Sequence, residues 1–232
     1  MTDLAFPALA PTTLPIAGST SRFPVARVFC IGRNYRWAPD EAPPRDMPAW
    51  FMKPASAVWP AEGALPYPAD TADFCHEIEL VVAIGRGGSD IAPADVEAQY
   101  VWGYAAGLDL TRRDLQQQAK RAGGPWEPAK AFDHSAPCTP IVPVANCGHP
   151  QEAAIWLSVN GVERQRADVS GLLWPVAELV AMLSRSVALA PGDLIYTGTP
   201  AGVGPLAPGD VVSAGVAGIG ELTMTVANTH PG

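Results

Sequence analysis

The sequence predicts an α+β fold, mostly β, built as one large domain behind a short N-terminal arm. Three observations carry that prediction. First, 25 prolines and 22 glycines punctuate 232 residues, above average usage, and such a density of turn formers suits many short strands. Second, the apolar runs, such as Val25–Ile31, which ends at Gly32, and Val101–Leu110, have the length of strands. Third, 48% of residues are hydrophobic and 16% charged, the balance of a chain with a core to bury and the reverse of a disordered one.

The elements follow in order. Residues 1–24 are rich in Pro and Thr and lack periodicity; they are read as an arm ahead of a single catalytic domain over 25–232. Val25–Ile31 is a short strand ending at Gly32. Residues 36–48 (RWAPDEAPPRDMP) carry prolines at 39, 43, 44 and 48. Each interior proline removes a donor and clashes with the preceding turn, so no regular helix runs through this proline-rich lid segment, although a short helical turn can start at Pro39. Ala72–Ile84 (ADFCHEIELVVAI) alternates and then becomes wholly apolar, as does a strand entering the interior. Pro93–Tyr100 reads as a short helix and Val101–Leu110 as another strand. Thr111–Arg121 has helical composition, with a cap at Thr111 and an acid, Asp114, three residues on. Asn160-Gly161 lies between alternating residues, the strongest short hairpin signal, because both central positions of that turn want φ > 0. Val176, Leu179, Val180 and Leu183 recur at helical spacing within Val176–Ser186. Asp193 and Asp210 each follow Pro-Gly, and turn geometry accounts for both.

Composition also excludes. A net charge of −8 argues against nucleic acid and against anionic membrane surfaces as partners, since both demand basic surface. No apolar run approaches the roughly 18–20 residues that cross a bilayer. The start has no basic n-region, so no signal peptide is expected and the location is expected to be cytoplasmic. Cys30, Cys75, Cys138 and Cys147 form no CxxC pair and read as free thiols.

The chemistry begins at Glu77-Ile78-Glu79. In a strand, residues i and i+2 share a face, so both carboxylates project together. Two like charges that close resist ionising unless a cation lies between them, and hard oxygen ligands suit Mg²⁺ or Mn²⁺, with Ca²⁺ as a third candidate. Taken alone the pair could equally be the solvated face of an edge strand. Asp109 tips the balance: it ends the next apolar run and can reach a neighbouring strand's cation. Downstream, Arg113, Gln116 and Lys130 offer donors, and a protein of net charge −8 that binds a dianionic acid needs such local positive charge beside its metal. Arg113 and Gln116 stand i, i+3, on one helix face. Gly198-Thr199-Pro200 begins a Gly-rich turn whose amides can cradle a carboxylate, though a plain β-turn fits the same composition.

These pieces, with GRNY (Gly32–Tyr35), FMKPASAV (Phe51–Val58), HEIEL (His76–Leu80), LDLTRRDLQ (Leu108–Gln116), WEPAKAFD (Trp126–Asp133), VNG (Val159–Gly161) and PGDLIYTGTPAGVG (Pro191–Gly204), resemble the fumarylacetoacetate hydrolase family from about Val25 to Val226. DFCHEIELVVAIGRGGSDI, TRRDLQ and KAFDHSAP resemble the subgroup that cleaves fumarylpyruvate in gentisate-type aromatic catabolism. The resemblance implies a mixed β-roll core, a homodimer and one divalent cation per subunit, held by Glu77, Glu79 and Asp109. It implies roles for Arg113, Gln116 and Lys130 in substrate binding or charge stabilisation, and places Arg33, Lys53, Gly198 and Thr199 around the substrate. The implied reaction is hydrolysis of a C–C bond in an acylpyruvate to give pyruvate and a carboxylic acid.

One position departs from the pattern. Smaller members of that family carry a His-x-x-Glu pair just after GRNY, and the histidine helps activate water. Here that position is Ala38, and Glu41 stands where the glutamate belongs. Three readings follow. Another group, Glu41, Asp40 or His134, replaces the imidazole; His76 is a poor candidate, because it should face away from Glu77. Or hydrolysis is lost and a metal-dependent decarboxylase or tautomerase of β-keto acids is left. Or the protein binds metal and a dicarboxylate without turnover.

Overall fold

The computed structural model describes residues 4–36 and 47–228. At its centre is a six-stranded sheet in the order Val142–Pro143, Val101–Leu108, Ile78–Ile84, Leu194–Tyr196, Val28–Gly32 and Ala49–Lys53. Neighbours run antiparallel except Leu194–Tyr196 beside Val28–Gly32, which are parallel. A five-stranded sheet is ordered Val162–Asp168, Ala154–Val159, Val211–Val216, Gly220–Val226 and Ala64–Leu65. Helices are few among the described residues, so the expected mostly β, α+β architecture is what the chain adopts.

Alternation assigns the two faces of the central sheet. Leu80, Val82 and Ile84 point into the main core, where they meet Ile155, Leu157, Val212, Ala214 and Met224 of the five-stranded sheet and Leu179, Val180 and Leu183 of helix Val176–Ser186. Each such side chain contributes about 1.5–3 kcal/mol when fully buried. Val81 and Ala83 point the other way, into a smaller cluster with Cys30, Tyr196, Leu14 and Phe23. Strand Ile78–Ile84 is therefore buried on both faces throughout, which explains its continuous apolar run. By the same period, Glu79 belongs with Val81 on the smaller cluster's side, and it becomes the polar end of that face. Leu14 and Phe23 reach this cluster from a hairpin of Thr13–Pro15 and Arg22–Pro24 within the first 24 residues.

The sequence expectations meet the structure unevenly. Helix Val176–Ser186 has the expected bounds. The Asn160-Gly161 turn joins Ala154–Val159 to Val162–Asp168 with φ of 52° and 76°, as the hairpin signal requires. The continuous strand over Ala72–Ile84 needs correction: it breaks at Glu77. Phe74–His76 joins a three-stranded sheet with Thr111–Arg112 and Gly204–Pro205, while Ile78–Ile84 joins the central one. The helix cap at Thr111 is also corrected. Thr111 is in a strand and its hydroxyl donates to the Asp109 carbonyl at 3.2 Å. The helix starts at Arg113 and stops at Gly123, whose φ of 64° suits a left-handed C-cap. Asp114 instead ties down the loop opposite, accepting from the Thr71 hydroxyl (2.6 Å) and the Ala72 amide (2.9 Å). All four cysteines are free. Among the described residues, no helix is long and apolar enough to cross a membrane. The lid readings at Ala38, Pro39, Asp40 and Glu41 lie outside the described residues.

Candidate metal centre and its cationic surround

The break at Glu77 and the end of Val101–Leu108 converge on one point. Oxygens of Glu77, Glu79 and Asp109 lie within 4.8 Å of one another, and all three residues are buried. The Asp109 amide donates to the Glu77 carbonyl at 2.9 Å, so the backbone holds the two acid-bearing segments in register.

Three cations surround the acids. Lys130 Nζ bridges Glu77 Oε2 (2.9 Å) and Asp109 Oδ2 (2.8 Å). Arg113 Nη2 reaches Glu77 Oε1 at 2.6 Å, and its Nη1 donates to Gln116 Oε1 at 2.6 Å. Lys53 Nζ lies 2.9 Å from Asp109 Oδ1 and donates to the carbonyls of Leu110 and Lys130. Glu79 has no cation within ion-pair distance among the described residues; its Oε2 accepts the Gly198 amide at 2.8 Å. The Gly-rich turn thus cradles a carboxylate belonging to the protein itself.

Electrostatics separate the acids. Burial works against the charge of Asp109, but Lys130 and Lys53 outweigh it and hold its pKa below the ordinary value. Burial, then Asp109 and Glu77, push Glu79 well above the usual carboxylate range. Lys130 is also buried, yet Asp109 and Glu77 overcome that penalty and raise its pKa.

These residues fit a divalent cation. The donor set is three carboxylates, hard oxygen ligands of the kind Mg²⁺, Mn²⁺ and Ca²⁺ take. Glu79 is buried beside the other two acids and, among the described residues, has no cation of its own. A buried carboxylate in that state resists ionising, and a cation bound between the three acids would relieve it. Lys130 Nζ shows that positive charge is accommodated between two of the acids.

The remaining expected site residues fall around this cluster in different ways. Lys53 is 1% exposed and supports Asp109 from beneath. Arg33 is exposed, with a left-handed φ of 59°. Gly198 has a φ of 104°, and a Cβ there would lie 2.8 Å from Asn34 Cβ. Thr199 is half-buried beside it. His134 packs edge-on against Trp59 at 5.9 Å and lines a cavity of about 260 Å³ with Arg112, Phe132 and Asp133, not with the carboxylates. His76 is buried and contacts Gln165; burial, opposed by that contact, lowers its pKa. The Cys75 thiol is pushed up to about 12 by burial first, so it is no nucleophile.

Two residues that position the site escaped sequence reasoning. Asn34 is fully buried; its Nδ2 donates to the Thr197 and Trp174 carbonyls and its Oδ1 accepts the Trp174 amide. Gln165 is 1% exposed and bonds His76, Thr199 and Pro200. A polar residue inside GRNY was a signal for the first. Nothing in VERQRAD marks the second.

Known proteins share this arrangement of chain. The family described as "Fumarylacetoacetate (FAA) hydrolase C-terminal" matches residues 27–227. The crystal structure of fumarylpyruvate hydrolase from Pseudomonas aeruginosa in complex with Mn²⁺ and pyruvate is 48% identical, with a TM-score of 0.93 over 97% of this chain and 99% of that one. Fumarylpyruvate hydrolase of Ralstonia sp is 41% identical over 177 residues, 76% of this chain and 91% of that protein. Oxaloacetate tautomerase YcgM of Escherichia coli is 39% identical over 212 residues, 90% of this chain and 91% of that protein.

Proposed function

The chain belongs to the fumarylacetoacetate hydrolase family, and from that premise we propose that it hydrolyses the C–C bond of acylpyruvates such as fumarylpyruvate. The observation that supports this most directly is the charge balance of the buried cluster. Three carboxylates share the cluster with three cations, Lys53, Lys130 and Arg113, which pair with Glu77 and Asp109, and Glu79 would lose its proton as well beside a bound divalent cation. A divalent cation held by Glu77, Glu79 and Asp109 would leave two positive charges to satisfy. A keto-acid carboxylate and the enolate charge that develops beside it supply two negative ones.

When bound, the divalent cation supplies Lewis acidity and a template for neighbouring substrate oxygens. The protein's own groups do the rest. Water adds to the acyl carbonyl, and the bond from that carbon to the pyruvate methylene breaks. The electron pair leaves with the pyruvate unit as an enolate, which is protonated at carbon, and the acyl part departs as a carboxylic acid. Lys130 and Arg113 carry fixed charge to meet the enolate, and Gln116 orients the Arg113 guanidinium. Arg33, Gly198 and Thr199 are proposed to border the substrate, and Glu41 to act as the base for water. The Mn²⁺ and pyruvate of the Pseudomonas relative agree with this product and with this class of cation.

A second reading rests on Ala38 and on the Escherichia coli tautomerase. Without the imidazole, tautomerisation or decarboxylation of a β-keto acid needs only the cation and the enolate-stabilising charges. Assay of the Mg²⁺- or Mn²⁺-loaded protein separates the two. Equimolar pyruvate and carboxylic acid from fumarylpyruvate supports the hydrolase. A change in oxaloacetate absorbance without cleavage supports the tautomerase, and carbon dioxide release the decarboxylase. Stabilisation by metal plus oxalate with no turnover marks a binding protein. Cleavage that appears only in Ala38→His, with the gain of about 10²–10⁴ that general acid–base catalysis brings, would show a hydrolytic site lacking its base.

A further inference from the structure

Strand Val162–Asp168 is polar and mostly exposed, yet Gln165 within it is buried. A β-bulge explains this. Leu157 pairs with Gln165 but Ser158 pairs with Glu163, so Arg164 is the extra residue. A bulge re-aims the side chains that follow it, and this one turns Gln165 under the turn that contains Thr199. The backbone there is in close contact: a Cβ on Gly202 would lie 2.0 Å from the Arg164 carbonyl oxygen.

The hydrogen bonds of the Gln165 amide have only one consistent direction. The Ile78 amide is an obligate donor and lies 3.2 Å from Oε1. The Pro200 carbonyl is an obligate acceptor and lies 2.9 Å from Nε2. Together they fix which end of the amide is oxygen. His76 Nδ1, 2.9 Å from Oε1, must then donate. Nε2, 2.8 Å from Thr199 Oγ1, must donate as well. The Thr199 hydroxyl therefore accepts from Gln165, and its own proton is left for another acceptor.

We propose that Gln165 is a positioning residue that sets the polarity of the Thr199 hydroxyl, so that Thr199 presents a proton and not a lone pair to the carboxylate or enolate oxygen of the keto acid. The inference rests on the functional reading above, in which Thr199 borders the substrate. Gln165 touches no substrate; it acts through Thr199, from the far side of the turn. The amide that orients the hydroxyl also holds the backbone on both sides of the site, at Ile78 and at Pro200. One side chain thus couples the acid-bearing strand to the Gly-rich turn.

The test is a double-mutant cycle read by calorimetric binding of pyruvate, with oxalate as a second probe, to the Mn²⁺-loaded protein. Thr199→Ala should weaken binding about tenfold or more, as loss of a hydrogen bond to a charged group does, and Thr199→Ser should restore it. Gln165→Glu keeps the shape but accepts the Thr199 proton, turning a lone pair toward the anion, so its loss should equal or exceed that of Thr199→Ala. In the Thr199→Ala background, Gln165→Glu should cost nothing further, a non-additivity that general loosening of the fold would not produce. Gln165→Leu, which frees the hydroxyl without reversing it, supplies the same cycle with a smaller loss if the glutamate variant does not fold. Full additivity in either cycle, or unchanged binding in Gln165→Glu, overturns the proposal. A wild-type protein that binds neither pyruvate nor oxalate overturns the functional reading and this inference with it.

Discussion

Strand Leu194–Tyr196 is flanked by two buried carboxylate arrangements with opposite characters. Before it stands Asp193, fully buried, which accepts from Arg27 Nε (2.9 Å), Arg27 Nη2 (2.6 Å) and the Ala190 amide (2.7 Å). After it, the Gly198 amide meets Glu79, which has no cation of its own among the described residues. Both arrangements sit at ends of the same central sheet. The first is satisfied by the chain itself and closes a Pro-Gly turn. The second is crowded with like charge, supplied with positive charge from three other segments, and leaves Glu79 without a counter-ion among the described residues. A satisfied buried acid belongs to the scaffold, and an unsatisfied cluster is built for something that arrives later.

The widest separation between the two ends should come from the ligands. Glu77→Ala or Asp109→Asn should cost more than the 10–100-fold that outer-shell changes typically cost a metal site, so more than about a hundredfold in Mn²⁺ affinity, and activity with it. Titration monitored by electron paramagnetic resonance would show this, and undiminished affinity would remove these residues from the site. Asp193→Asn should leave Mn²⁺ affinity unchanged and cost about 1–3 kcal/mol of stability, because it breaks charge-assisted bonds to a partly exposed arginine; urea denaturation measures it. A metal-binding defect in that variant would erase the distinction drawn here.

The smallest effect concerns Glu79 and pH. Its folded pKa is raised, so between the ordinary glutamate range and that higher value the folded state holds a proton that the unfolded state has lost. Stability of the metal-free protein should therefore fall as pH rises through that window. Glu79→Gln removes the titrating group and should flatten the slope. At neutral pH the metal-free variant should melt higher, by about 2–4 °C for each kcal/mol recovered. Scanning calorimetry across pH would show whether the slope survives the substitution, which it should not.

Much of this was legible in the sequence, for physical reasons that differ by region. The acids were readable because Glu77, Glu79 and Asp109 interrupt or end apolar runs of the sequence, and buried charge is rare without a partner. The Asn160-Gly161 hairpin and helix Val176–Ser186 were readable because their signals are local. The break at Glu77 was not, since it depends on Thr111–Arg112 and Gly204–Pro205 pairing with Phe74–His76. Thr111 carries a capping residue's chemistry, but pairing with Cys75 draws it into a strand. The bulge that buries Gln165 depends on the register with Leu157, and Glu163 with the flanking Arg164 and Arg166 gave it the look of an ordinary exposed strand. Lys53 was placed near the site by resemblance, but its burial against Asp109, Leu110 and Lys130 depends on segments far along the chain and was not readable locally.

The order of the central sheet also has a consequence for biosynthesis. Leu194–Tyr196 lies between Ile78–Ile84 and Val28–Gly32, so the last of these strands to be made is inserted between two made long before. Synthesis proceeds from the N-terminus at about 5–20 residues per second. Throughout the translation of more than a hundred residues, Ile78–Ile84 waits with an unpaired edge while Gly198, the amide donor to Glu79, has yet to emerge. The nascent chain therefore carries Glu79 without its amide partner until that strand is in place.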